Sequence, residues 1–186
     1  MNQFPSDAVR ILASPGHPDA SLRRLARAVV PSLADFCLIF LRDGPHVRCA
    51  ASAHVSREGR DLLRRLNRVY RITTDDPVST VALAIRLGRP QLRSGIASER
   101  HGTAPRPQVP TLHQRLGCRS ALVVPVGSPP QVLGALSLCY STSARRYAPH
   151  DVAAARRIAA LIEAFLRERA ASTPPVRRQV RLRARV

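Results

Sequence analysis

The groups in this 186-residue chain best suited to covalent or metal chemistry are four thiols and six imidazoles. The cysteines stand at positions 37, 49, 118 and 139. No Cys-x-x-Cys pair occurs, so the usual zinc-site spacing is missing. Each thiol sits in an apolar, strand-like stretch, where it behaves as a small core hydrophobe. Cys118, beside Arg119, has a cationic neighbour of the kind that favours a thiolate. The histidines (17, 46, 54, 101, 113 and 150) show no paired helical spacing. His54 therefore reads as a hydrogen-bonded structural residue, and His113 is the better functional candidate. Asp75-Asp76-Pro77 offers two neighbouring carboxylates, although adjacent Asp before Pro more often caps a helix. No Ser, His and Asp set lies in a nucleophile-elbow context, which removes hydrolase chemistry.

Arginine is the other chemical theme. The chain has 30 basic residues, all Arg, against 12 acids, for a formal charge of +18. Five of them lie in the last fifteen residues with no acid, and removing these leaves +13 for residues 1–171. Such a charge speaks of solubility and attraction to polyanions and not of fold. Arg93-Ser94 closes one strand-like segment, and Arg119-Ser120 opens another. If these ends converge, with His113 nearby, they offer planar donors and hydroxyls to an anionic or carbonyl ligand. The ligand-binding candidates are thus Arg93, Ser94, His113, Arg119 and Ser120. The final stretch, VRRQVRLRARV, suits an anionic lipid surface or phosphate backbone, but has no interleaved aromatic for base stacking.

The elements that must position these groups follow from periodicity. Residues 1–18 are polar and Pro-bearing and read as a leader. Residues 19–33 carry one apolar helical face, with Asp19 as candidate N-cap. Residues 35–42 and His46–His54, joined through Asp43-Gly44, read as an antiparallel hairpin. Residues 56–70 form an amphipathic helix with Leu62, Leu63 and Leu66 opposite Arg60, Arg64 and Arg65. A short helix over 77–87 precedes a strand at 90–94. Residues 95–110 hold three Pro and no apolar pattern, and read as an exposed loop of the sort that forms lids. Residues 111–116 read as a helical turn or two. Strands at 118–126 and 132–140 are apolar on both alternating faces, so both faces must be covered. A long helix over 149–171 ends the domain, and residues 172–186 form a basic, flexible tail. The order points to an α+β domain. Length alone suffices to bury about 70% of the unfolded surface without staples. The longest apolar runs are six residues, far below a membrane span, and the start lacks the pattern of a secretory signal. The expected location is cytoplasmic.

This order, with Ser120, Pro125, Gly134, Tyr147 and Asp151 in the last two strands and final helix, resembles the GAF family of small sensory domains. The segment AVVPSLADFCLIFLRDG resembles that family's first helix and strand, and VALAIRLGRPQL its helix, Gly-x-Pro, strand step. The resemblance spans roughly residues 20–170. It implies a GAF-like (PAS-related) central antiparallel sheet, with N- and C-terminal helices on one face. A pocket on the other would lie under the middle helices and the 95–110 loop. Members bind cyclic nucleotides, bilins, haem or other small molecules, or serve as dimerising connectors. The bilin Cys-His pair is absent here, and the Asn-Lys-Phe-Asp-Glu signature cannot occur without Lys. A catalytic branch, free methionine sulfoxide reductase, needs a thiolate and a resolving Cys on a surface loop. Residues 95–117 contain no Cys, which speaks against that activity.

The expected function is a non-enzymatic sensory or regulatory module binding an unidentified small molecule, or mediating dimerisation, in cytosolic signalling. It would act through a signalling partner such as a kinase or phosphatase. Ala155, Ile158, Ile162 and Phe165, flanked by Leu161 and Leu166, make the last helix wide enough for a homodimer through the terminal helices. The competing readings are an Arg-rich adaptor for nucleic acid or anionic membrane, and a redox enzyme. No residue pattern names a cofactor.

Overall fold

The computed structural model describes residues 4–69, 71–94 and 115–172. The elements in chain order are α1 (Phe4–Ala13), α2 (Pro18–Val29), β1 (Phe36–Asp43), β2 (His46–His54) and α3 (Arg57–Val69). There follow β3 (Ile72–Thr73), α4 (Thr80–Leu87), β4 (Gln91–Ser94), β5 (Ser120–Val126), β6 (Gly134–Tyr140) and α5 (Asp151–Ser172). The six strands form one antiparallel sheet in the order β3-β2-β1-β6-β5-β4.

Strand alternation divides the core in two. Cys37 and Ile39 of β1, Leu122 and Val124 of β5, and Leu136 and Leu138 of β6 pack with Leu22, Leu25, Ile158 and Ile162 of α2 and α5. Phe36 and Leu38, Ala121 and Val123, and Ala135 and Cys139 point the other way, onto Leu63, Val81, Ala84 and Ile85 of α3 and α4. This is the double coverage that two-sided apolar strands require. Where the centre strands cross, Gly134 pairs with Leu41, and a Cβ there would run into the Phe40 carbonyl oxygen. The glycine is a packing requirement.

The 1–18 segment, expected as a leader, is helical over part of its length. It contains α1, whose Ala8 and Leu12 are buried four residues apart against the α2/α5 side. Leu161 and Leu166 of α5 are partly buried against that same core, so much of the width read as room for a second copy is used within the chain. His17, not Asp19, caps α2: its Nδ1 accepts from the Asp19 N–H at 3.3 Å, and Pro18 takes the first helical position, where its missing N–H is no loss. Asp19 is left free to hold Arg48 through two bonds of 3.1 and 3.2 Å. The α4 helix starts later than expected. Ser79 caps it by accepting from the Ala82 N–H, while Asp76 accepts from the Val78 and Ser79 N–H groups just before. β3, two residues long, has no counterpart in the sequence reading.

Candidate functional site

The largest opening described lies at one margin of the sheet. β3 pairs with β2 only at His46 and Val47, so from Arg48 onward the outer edge of β2 has no strand beside it among the described residues. A cleft of about 790 Å³ runs along that edge and is lined by every residue from 49 to 55. Side chains of a strand alternate between faces, so consecutive residues share one cleft only when it wraps the strand's edge. A bulge assists. Ile39 pairs with Ala51 but Phe40 with Cys49, leaving Ala50 over, and a bulge bends and twists the strand that carries it. The walls are α2 on one side and α3 on the other. Exposed Arg23 and Arg27 come from the first, Arg60 and Arg64 from the second, and no Asp or Glu lines the cleft. Leu63, fully buried, joins Ala51 and Ala53 as the apolar part of the lining.

Helical spacing explains the walls. Leu22, Leu25, Ala26 and Val29 bury the inner face of α2, which turns Arg23 and Arg27, one turn apart, outward on the same side. Leu63 and Leu66 do the same for α3 and bring Arg60 and Arg64 into line. Arg60 Nη1 donates to the His54 and Val55 carbonyls at 3.2 and 3.3 Å and closes the far end of the edge. Arg64 pairs with Asp61. Arg23 and Arg27 have no ion-pair or hydrogen-bond partner among the described residues.

Two buried polar groups fix the end of β2. Asp35, 3% exposed, accepts at Oδ2 from the Ser141, Thr142 and Ser143 N–H groups at 2.8, 2.9 and 2.8 Å and from the Thr142 hydroxyl at 3.3 Å. Its own carbonyl accepts from the Val55 N–H at 2.8 Å, so one residue ties β2 to the turn after β6. Burial alone would raise the Asp35 carboxyl, but the donors from Ser143, Ser141 and Thr142 outweigh it and hold the group below the usual carboxylate range. His54 stacks on Phe36 with ring centroids 5.6 Å apart, and its Nδ1 accepts from the Ser56 N–H at 3.0 Å. Gly59 leaves the space: a Cβ there would strike the imidazole. Desolvation, reinforced by Arg60, lowers the His54 pKa against the pull of Asp35. An Nδ1 that accepts from Ser56 places the proton of the neutral ring on Nε2.

The residues singled out from sequence fall at the opposite margin. β4 and β5 do bring their ends together, Arg93 pairing with Ala121 and Ser94 with Ser120. Arg93, Ser94 and Arg119 are exposed there. Ser120 is fully buried, and its hydroxyl accepts from the Tyr147 N–H at 3.0 Å. None of these lines the 790 Å³ cleft. His113 and the 95–110 loop lie outside the described residues, as do residues 173–186. Val81, Ala82, Ala84 and Ile85 of α4 pack on the apolar sheet face, while the loop expected to roof a pocket there lies outside the described residues. The thiols are placed for packing. Burial drives the Cys37 and Cys139 pKa values up, and pushes Cys49 up to about 12. Among the described residues no three His, Cys, Asp or Glu side chains are grouped to hold a metal, and no helix is long and apolar enough to cross a membrane.

A curled antiparallel sheet with helices on both faces makes this an α+β domain, with the cleft at its margin. The family model for the GAF domain matches residues 17–166, and the chain belongs to that family. Solved structures agree in fold. The GAF domain of an Acinetobacter phosphoenolpyruvate-protein phosphotransferase superposes with a TM-score of 0.67 at 16% identity, covering 94% of this chain and 96% of that one. Residues 122 to 287 of a methyl-accepting chemotaxis protein give 0.68 at 13% identity over 93% and 100%. Free methionine-R-sulfoxide reductase from Neisseria meningitidis, in complex with its substrate, gives 0.65 at 14% identity over 91% and 90%. These identities bear on fold alone. No curated protein sequence matches the chain.

Proposed function

We propose that this chain is a non-enzymatic regulatory module of cytosolic signalling whose input is an anionic ligand taken up between α2 and α3. The observation that carries this is the cleft itself: four arginines on two facing walls, no acid in the described lining, and two of the four without a partner among the described residues. Charges facing each other across a partly enclosed space repel, and an anion between them removes that repulsion. Membership of a family with regulatory members supports the same reading. Cys37, Cys49 and Cys139, whose pKa values burial raises, are poorly placed as nucleophiles. The output follows from the position of Arg23 and Arg27. Both ride on α2, which packs with α1 and α5, so an anion that draws α2 toward α3 favours one packing of the terminal helices over another.

The test is calorimetric and thermal titration with small anions, from inorganic phosphate to a nucleoside triphosphate. A ligand at a hundred times its Kd stabilises the fold by ~2.7 kcal/mol, and Arg27→Ala with Arg60→Ala removes that gain. Binding that survives this double substitution overturns the placement, and absence of any binding overturns the reading.

A further inference from the structure

The cleft has a feature that a site for a compact small molecule does not require: its floor is the unpaired edge of a β-strand. We infer that the natural occupant is an acidic peptide segment that adds to β2 as a further antiparallel or parallel strand. This rests on the reading of the cleft as the anion site and names the ligand class. The edge from Arg48 to Ala53 has no strand partner among the described residues, and such an edge is a template for main-chain hydrogen bonding. Both walls match what a bound strand would present. Arg23 and Arg27 are one helical turn apart on α2, and so are Arg60 and Arg64 on α3. Four helical residues advance about 6 Å, and two strand residues about 6.6 Å. Alternate side chains of an added strand therefore keep step with one wall, and the intervening ones with the other. A run of four Asp or Glu places two carboxylates toward each pair. Arginine suits this, because its planar fork takes a carboxylate with two bonds.

Charge also excludes the nearer candidates. A second copy joined edge to edge at β2 would bring eight arginines together. The chain's own last fifteen residues carry five Arg and no acid. Both are repelled where an acidic strand is attracted.

The experiment uses the full chain and a blocked eight-residue peptide with four central Glu flanked by Thr-Val pairs. Fluorescence anisotropy is read at low and at 0.5 M salt. Beside it are run a Lys-for-Glu peptide, two N-methylated forms blocking alternate amides, and a nucleoside triphosphate. Strand addition predicts micromolar binding of the Glu peptide and none of the Lys peptide. It predicts at least a tenfold loss with one N-methylated form but not the other, because only one edge of the peptide faces β2. R27E with R60E abolishes binding, and R93E, at the other margin, leaves it unchanged. Equal tolerance of both N-methylated forms overturns strand addition in favour of simple charge attraction. Triphosphate binding lost in R27E/R60E, without peptide binding, overturns the peptide and spares the anion site. Binding of neither overturns both.

Discussion

The two margins of the sheet carry arginines in opposite settings. At the β4 margin, Arg93 and Arg119 stand in water on strand ends. At the β2 margin, Arg23, Arg27, Arg60 and Arg64 face one another across a cleft whose floor is backbone and Ala side chains. The residue type is the same and the meaning differs. An exposed guanidinium is screened by water and salt and contributes little. The four at the cleft are exposed as well, but they share one volume, so their fields add there and a matching ligand relieves them. What distinguishes the margins is topology. β2 runs between α2 and α3, and β3 covers only its first two residues.

The largest expected effects concern the anchors of the two margins. Asp35→Ala strips the acceptor from three backbone N–H groups in the turn after β6, and should cost ~3 kcal/mol or more in urea unfolding. Ser120→Ala at the other margin removes a single acceptor, that of Tyr147, and should cost ~1 kcal/mol. Equal losses would erase the contrast between them.

Acid sharpens the comparison. Asp35 has a folded pKa below its unfolded value of 3.8, so its stabilisation is complete above that value and is lost as pH falls through the folded pKa. His54 is also lowered, from 6.5, so the unfolded chain binds its proton more tightly. Stability is therefore full above pH 6.5 and declines as pH falls below it. Urea midpoints between pH 7.5 and 5 should fall for the native chain and less for His54→Asn; parallel declines would remove His54 from the account. The smallest effects belong to Arg93→Ala and Arg119→Ala, each expected within ~0.5 kcal/mol of the native stability.

Most of the sheet is legible in the sequence because physics writes it twice, once on each face. FCLIFLR and SALVVPV alternate between two apolar cores and can be little else than central strands. α1 was hidden because it buries chiefly Ala8 and Leu12 within a polar stretch. β3 was hidden because two residues have no periodicity. The cleft is a different case. Arg60 and Arg64 are visible on the polar side of α3, and Arg23 and Arg27 share a spacing of four. Among 30 arginines, though, such pairs carry no signal until the fold sets α2 and α3 on either side of an open strand edge. Arg93, Ser94, Arg119 and Ser120 do meet, as strand order required, but at the margin without the described cleft.

The most direct test is a backbone amide NMR titration of the full chain with the four-Glu peptide, read residue by residue. The account predicts the largest shifts at residues 49–55 of the β2 edge and on the facing turns of α2 and α3, with Arg93, Ser94 and Arg119 still. Shifts centred on those last three residues, with β2 unmoved, would contradict it.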